Sequence, residues 1–463
     1  MIWIGAALAA SVTLNPGDDV ASLTSSLGPG DEVVFNEGVY ELESRITWSE
    51  VLGTESSPVT IRGEGEVVIE MVGTDKRLLV LQDSSWVSLS NLSLRGGEAW
   101  QDNNTTAIEI NGGDNISVQD CLVEQFMGLG VYIHGDTSEL AIVGNEIREM
   151  GDNTAIYAGC GDASCWMQDS LIELNWIHGL QGHNDYAVYI DHGGQGNAVL
   201  DNVIYDGAYR GILVRSTEFG EPNVVEGNAI WGLEHTALYA QGAAVVRNNL
   251  VFNTGSVGLR ASDPGRGTYS DLVFSHNTVV DTGEYGIQIE DWAGASGMVL
   301  ANNAVSNPTG YAMYAPTDEI DEDNFVVGNV ATGLVQGFDH LAGHFEAGGG
   351  DRDFVDAPGW DFYPSSDSYL LGAGETSGSA WVPETDFNGA PRDGAGPDVG
   401  AYERVSEDNP GWAIQEGFKE PGYDAGPELE DVGGGCCSED GSGAQAALVL
   451  PLLVFGLRRR RDR

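Results

Sequence analysis

Ala187-Val188-Tyr189-Ile190 and Gly211-Ile212-Leu213-Val214 are two of nine copies of one short pattern, a small residue followed by alternating apolar positions. The others are Ala107-Ile108-Glu109-Ile110, Gly130-Val131-Tyr132-Ile133, Ala155-Ile156-Tyr157-Ala158, Ala237-Leu238-Tyr239-Ala240, Gly258-Leu259-Arg260-Ala261, Gly286-Ile287-Gln288-Ile289 and Ala312-Met313-Tyr314-Ala315. Successive copies start 21 to 32 residues apart, a period that marks a solenoid. A second motif keeps step, an Asn entering another apolar run, at Asn91, Asn115, Asn145, Asn175, Asn202, Asn228, Asn249, Asn277, Asn303 and Asn329. Asn tolerates the left-handed backbone of a sharp corner, and stacked Asn side chains can bond as a ladder. Each repeat is therefore expected to hold two or more strands and a fixed corner.

Period-two alternation points Ile108, Val131, Ile156, Val188, Ile212, Leu238, Leu259, Ile287 and Met313 to one side. So short a coil cannot bury that side alone, so neighbours must stack around a continuous apolar column. The expected fold class is all-β, a parallel β-helix. Asp18 to Leu27 reads as a short amphipathic helix ended by Gly28-Pro29-Gly30, the natural N-terminal cap. Over roughly residues 14 to 403 the repeats resemble the right-handed parallel β-helix family that includes pectate lyases, related polysaccharide lyases and hydrolases, and many surface proteins. The resemblance speaks to fold, because activity depends on a site grafted onto the scaffold.

The chain carries 71 acidic against 20 basic residues, a net charge of −51, which repels nucleic acid and anionic membrane surfaces. Residues 1–10 resemble a secretory signal, without its usual basic start; the alternative is a first buried strand. Residues 11–30 are assigned to the cap, 31–345 to the β-helix, 346–403 to a C-terminal closing region, and 404–443 to an acidic flexible tether. Residues 444–463, apolar and then basic, follow Cys436 and Cys437. Together they resemble the sorting tag of myxobacterial surface proteins, in which a Cys before the apolar segment is the anchoring residue. That resemblance implies a secreted protein held at the cell surface or outer envelope, attached to the membrane through its tail or a Cys-linked anchor. The alternative is an ordinary tail anchor. Cys160 and Cys165 are close enough to pair in an oxidising compartment, whereas Cys121 reads as a buried thiol within a strand.

Between the inward positions, outward residues fall into columns. The central column is Glu109, Tyr132, Tyr157, Tyr189, Leu213, Tyr239, Arg260, Gln288 and Tyr314, and its tyrosines suit sugar rings, although Tyr also simply favours strands. Beside it run Asn111, His134, Gly159, Asp191, Arg215, Gln241, Ser262, Glu290 and Pro316. Tyr132, Tyr157, Tyr239, His235 and Glu290 are the candidate substrate-binding residues. Asp185, Tyr189, Asp191, His192, Arg210 and Arg215 are the candidate catalytic residues. In a lyase, Arg210 or Arg215 would neutralise a uronate while His192 or Tyr189 took its proton. In a hydrolase, Asp185 or Asp191 would act with a second carboxylate. The bland alternative makes Asp191 and Arg215 an exposed cross-strand ion pair. Lyases of this fold commonly use a basic catalytic residue and often calcium, a candidate cofactor here, yet the only lysines, Lys76 and Lys419, lie off the repeated face. The expected partner is a polysaccharide, bound or cleaved; the competing expectation is a non-catalytic adhesion or envelope protein.

Overall fold

The computed structural model describes residues 9–419, apart from 21–26, 98–103, 163, 183–185, 208–209, 217–219, 267–268, 322, 339–344 and 377–380. The chain winds as a right-handed parallel β-helix whose coils visit three parallel sheets in a fixed order. In one turn Leu129–Ser138 lies in the first sheet, Ala141–Val143 in the second and Glu146–Arg148 in the third, before Ile156–Ala158 returns to the first. The inward residues of the first sheet stack in unbroken register from Ile108 through Val131, Ile156, Val188, Ile212, Leu238, Leu259 and Ile287 to Met313. Each is at most 1% exposed. A single coil could never dry these side chains, so their burial comes entirely from stacking.

The asparagine ladder forms at the corner between the second and third sheets. Asn145, Asn175, Asn202, Asn228, Asn249, Asn277, Asn303 and Asn329 are buried. Each Nδ2 donates to the Oδ1 of the next at 2.9 to 3.0 Å. At Asn91 and Asn115 the left-handed conformation falls on the Asn itself, as expected, but along the ladder it falls one residue earlier. Gly144, Leu174, Asp201, Gly227, Asn248, His276, Asn302 and Gly328 have positive φ, and the ladder asparagines do not. The preceding residue turns the chain, freeing each ladder Asn to satisfy buried backbone groups of neighbouring coils. Asn115 is not on the ladder: it lies within strand Thr106–Gln119 and bonds Glu139. The ladder position below Asn145 belongs to Cys121, at a corner rather than in a strand, whose N–H donates to Asn145 Oδ1 at 3.0 Å. The Cys121 thiol is buried, as expected, and burial pushes its pKa up to about 12.

The closing region differs in place from its reading as an end cap. Phe354, Phe362, Tyr363, Phe387 and Tyr402 lie on the outer side of the third sheet, over Tyr205, Trp231, Leu250, Phe252 and Val280, and build a second apolar core. Arg392, sealed from solvent, ties it to the helix by donating to Asn248 Oδ1 at 2.7 Å and to the carbonyls of Gly400 and Ala401. Packing continues into the stretch read as a tether. Trp412 is buried in this core, and Lys419 reaches Asp201 at 2.5 Å. Outward aromatic residues on the third sheet give this acidic, Gly-rich segment an apolar surface to pack on. The expected capping helix falls largely on residues 21–26, and residues 1–8 of the signal-like segment, Cys436, Cys437 and the apolar tail also lie outside the described residues. Among the described residues no helix is long and apolar enough to cross a membrane.

Candidate functional site

The outward side of the first sheet presents the columns read from the sequence. Glu109, Tyr132, Tyr157, Tyr189, Leu213, Tyr239, Arg260, Gln288 and Tyr314 are successive register partners. Tyr132 stacks on His134 and Tyr157, with ring centroids 4.5 and 5.6 Å away, and Tyr157 meets Tyr189 at 5.0 Å. Farther along, Tyr285, Tyr311 and Tyr314 form a second aromatic group. Three tyrosines carry a guanidinium over the ring: Arg210 on Tyr186, Arg215 on Tyr189 and Arg260 on Tyr239.

Asp191 is the centre of the polar cluster. It is 2% exposed, which rules out the exposed ion pair expected from its column. Its Oδ2 accepts from Tyr157 Oη at 2.9 Å, and its Oδ1 accepts from the His192 backbone N–H at 2.8 Å and from Arg215 Nη1 at 3.2 Å. Burial opposes its charge, but these donors win and hold the carboxyl below its usual value. The same burial, together with the nearby Asp191 charge, drives the Tyr157 phenol far above its usual range. Tyr189 is likewise raised by burial, against the opposing charge of Arg215. Neither phenol is a base at neutral pH. The His192 imidazole is pushed below its ordinary value by burial, which with Arg215 and Arg266 outweighs Asp191.

Arg215 connects this cluster to the next coil. Its Nε donates to Gln241 Oε1 at 2.7 Å, and Gln241 Nε2 donates to Tyr239 Oη at 3.1 Å and Ser262 Oγ at 3.0 Å. Gln241 and Ser262 are both buried, yet the candidate residues did not include them. Their place beside Arg215 in the outward column was legible, but that they carry its hydrogen bonds on to Tyr239 is set by packing. Arg260 pairs with Glu290 at 2.6 Å, and Gln288 also donates to Glu290. His235, partly buried, bonds Thr236 and is held below its usual pKa by burial and then by Arg210 and Arg260.

The structure thus gathers Tyr157, Tyr189, Asp191, His192 and Arg215, with Tyr239 joined through Gln241. Tyr132 lies next to Tyr157, Arg210 sits on Tyr186, and Glu290 lies apart. Asp191 and Glu290 are four coils apart, roughly 19 Å at about 4.8 Å per coil. That exceeds the ~5–9.5 Å between the carboxylates of glycosidases. Asp185 falls outside the described residues. Among the described residues no three His, Cys, Asp or Glu side chains converge as a metal site. In the acidic stretch around Asp321, that carboxylate accepts from the backbone N–H groups of Gly294 and Asp323.

A wall stands over Asp191. Cys160 and Cys165 are bonded, with Cα atoms 5.7 Å apart. Gly159 has φ +139°, and a Cβ there would lie 2.5 Å from Asp191 Cβ. The glycine is what lets the carboxylate tuck beneath the loop.

The family model for the right-handed β-helix region matches residues 78–244 and 184–330. No curated protein sequence matches the chain. Among solved structures, the PL6-family alginate lyase AlyGC is 15% identical with a TM-score of 0.47, covering 73% of this chain and 53% of its own, so the chain spans about half of that lyase. Pectate lyase Pel9A is 13% identical with a TM-score of 0.49, covering 86% of this chain and 98% of its own. The catalytic domain of a GH87 α-1,3-glucanase is 12% identical with a TM-score of 0.49, covering 73% and 68%. At these identities the likeness is one of fold.

Proposed function

The chain belongs to the right-handed β-helix family, and from that scaffold we propose that its tyrosine-bearing first sheet binds and processes a polysaccharide. The carrying observation is the register itself, which aligns Tyr132, Tyr157, Tyr189, Tyr239 and Tyr314 along one outward column and seats guanidinium groups on two of them. Flat rings with polar tips suit sugar faces and hydroxyls.

Proton abstraction fits the site better than hydrolysis by two carboxylates. Asp191 has its oxygens engaged by internal donors, and Glu290 is out of reach of a bond beside it. His235 is the better-placed base: it is neutral, more exposed than His192, and near Arg210 and Arg260. In this reading an arginine neutralises a uronate carboxylate. His235 takes the proton from the adjacent carbon, the glycosidic C–O bond breaks with its electron pair passing to the departing oxygen, which takes a proton from water, and a double bond forms at the new chain end. The Cys160–Cys165 disulfide supports export to an oxidising compartment, and with the signal-like start and Cys-bearing tail underlies our proposal of a secreted, surface-attached protein.

A second reading, a non-catalytic adhesion or envelope spacer, is favoured by the internal satisfaction of the Asp191–Arg215 network. The test is a screen of the purified chain against neutral and uronate glycans, with and without calcium. Binding with an unsaturated chain end, abolished in His235→Ala, supports the lyase. A new reducing end without unsaturation points to hydrolysis, and no binding at all leaves the spacer.

A further inference from the structure

We propose that Trp166 is a glycan-contacting residue, presented at the lip of the tyrosine sheet by the Cys160–Cys165 disulfide. The proposal rests on the reading of that sheet as a polysaccharide surface and extends it to a residue outside the repeat.

Trp166 leaves the helix register at the connection between the first and second sheets. It is 38% exposed, whereas its neighbour Cys165 is 5% exposed. An indole is costly to leave in water, yet the backbone that carries this one is fixed at both ends. On one side Gly159 N–H donates to Ile133 O at 2.9 Å. On the other, Trp166 O accepts from the Thr137 N–H at 2.9 Å, and the disulfide closes the loop between them.

This loop also rests on the polar cluster. A Cβ at Gly161 would come within 4.0 Å of Asp191 Oδ2 and 3.7 Å of Tyr157 Oη. Across the turn that follows Asp191 and His192, a Cβ at Gly193 would sit 2.8 Å from Cys165 O and 3.5 Å from Trp166 Cβ. Gly193, at φ +86°, therefore lets the lip settle onto the turn, which holds the Trp166 backbone and Cβ against the turn that begins two residues earlier at Asp191. A large aromatic ring with few rotatable bonds, on a pinned backbone at the edge of the sheet that carries the tyrosines, adds a stacking surface at little entropic cost.

The experiment measures affinity by titration calorimetry on the full chain, with a uronate oligosaccharide and a neutral glucan oligosaccharide as probes. Four proteins are compared: wild type, Trp166→Ala, Trp166→Phe and the Cys160→Ser/Cys165→Ser double variant. The expected result is that Trp166→Ala weakens binding by about tenfold. Trp166→Phe should restore most of it, and the double variant should lose affinity while keeping the wild-type far-ultraviolet circular dichroism spectrum. If wild type binds either probe and Trp166→Ala binds it equally well, the lip is overturned and the sheet reading stands. If wild type binds neither probe, the sheet reading and the lip fall together. Should the double variant fail to fold, the Trp166 variants decide alone.

Discussion

Asp191 and Arg215 sit on adjacent coils with a 3.2 Å contact, but they do not share an environment: Asp191 is 2% exposed and the Arg215 side chain 25%. The pair is half buried, so its partners are not interchangeable. Removing Arg215 strands a buried carboxylate, and Arg215→Ala should cost about 3 kcal/mol of unfolding free energy in urea titrations. Arg215→Ala as stable as wild type would mean that Tyr157 and the His192 N–H suffice.

The same carboxylate gives a pH signature. Its folded pKa lies below the ordinary value, so its stabilisation is fully present above the unfolded carboxyl pKa of about 3.9 and is lost as pH falls through the folded value. Wild type should exceed Asp191→Asn in stability near neutrality, and the two should converge in acid. Parallel pH profiles would count against an ionised Asp191.

His276 supplies a second titration. It is fully buried at a corner with φ +52°, its Nε2 accepting from Asn302 Nδ2 at 2.9 Å. Burial, and then Arg392, hold it neutral well below the ordinary histidine pKa. The unfolded chain takes up a proton that the folded chain refuses. Stability should therefore fall by about 1.4 kcal/mol per pH unit once pH drops below about 6.5. Asn tolerates this backbone and does not titrate, so His276→Asn should flatten the slope in thermal melts between pH 7 and 5.

The ladder makes a sharper stability prediction. Asn249 accepts from both the backbone N–H and Nδ2 of Asn228, and donates to Val225 O and Asn277 Oδ1. Asn249→Ala orphans several buried groups at once and should cost about 3 kcal/mol or more. Gln241→Ala removes bonds to the partly exposed Arg215 and to hydroxyls that can turn to other partners, so its loss in the same denaturation assay should be smaller.

Gly159→Ala tests the wall over the site without replacing a polar side chain. The new methyl would meet Asp191 Cβ at 2.5 Å, at a φ that L residues rarely adopt. A loss of about 1–3 kcal/mol is expected, with weaker glycan binding than a distant variant of equal stability. Unchanged melting and binding would show that Asp191 has room to move.

Much of this molecule is written in one dimension. Strict alternation in Gly211-Ile212-Leu213-Val214 and its eight counterparts fixed which side chains face the axle, and their spacing fixed the coil, because period-two strands leave no other way to bury that stripe. The outward columns followed from the same count. Tertiary structure decided the rest, because it depends on how depth and partners accumulate around a residue. Spacing alone could not tell that Asp191 lies buried under the Gly159 turn while Arg215 remains partly wet, or that Gln241 links Arg215 to Tyr239 and Ser262. Nor could composition foresee that an acidic, Gly-rich C-terminal segment packs through Lys419, since the aromatic surface that holds it is assembled from strands of separate coils.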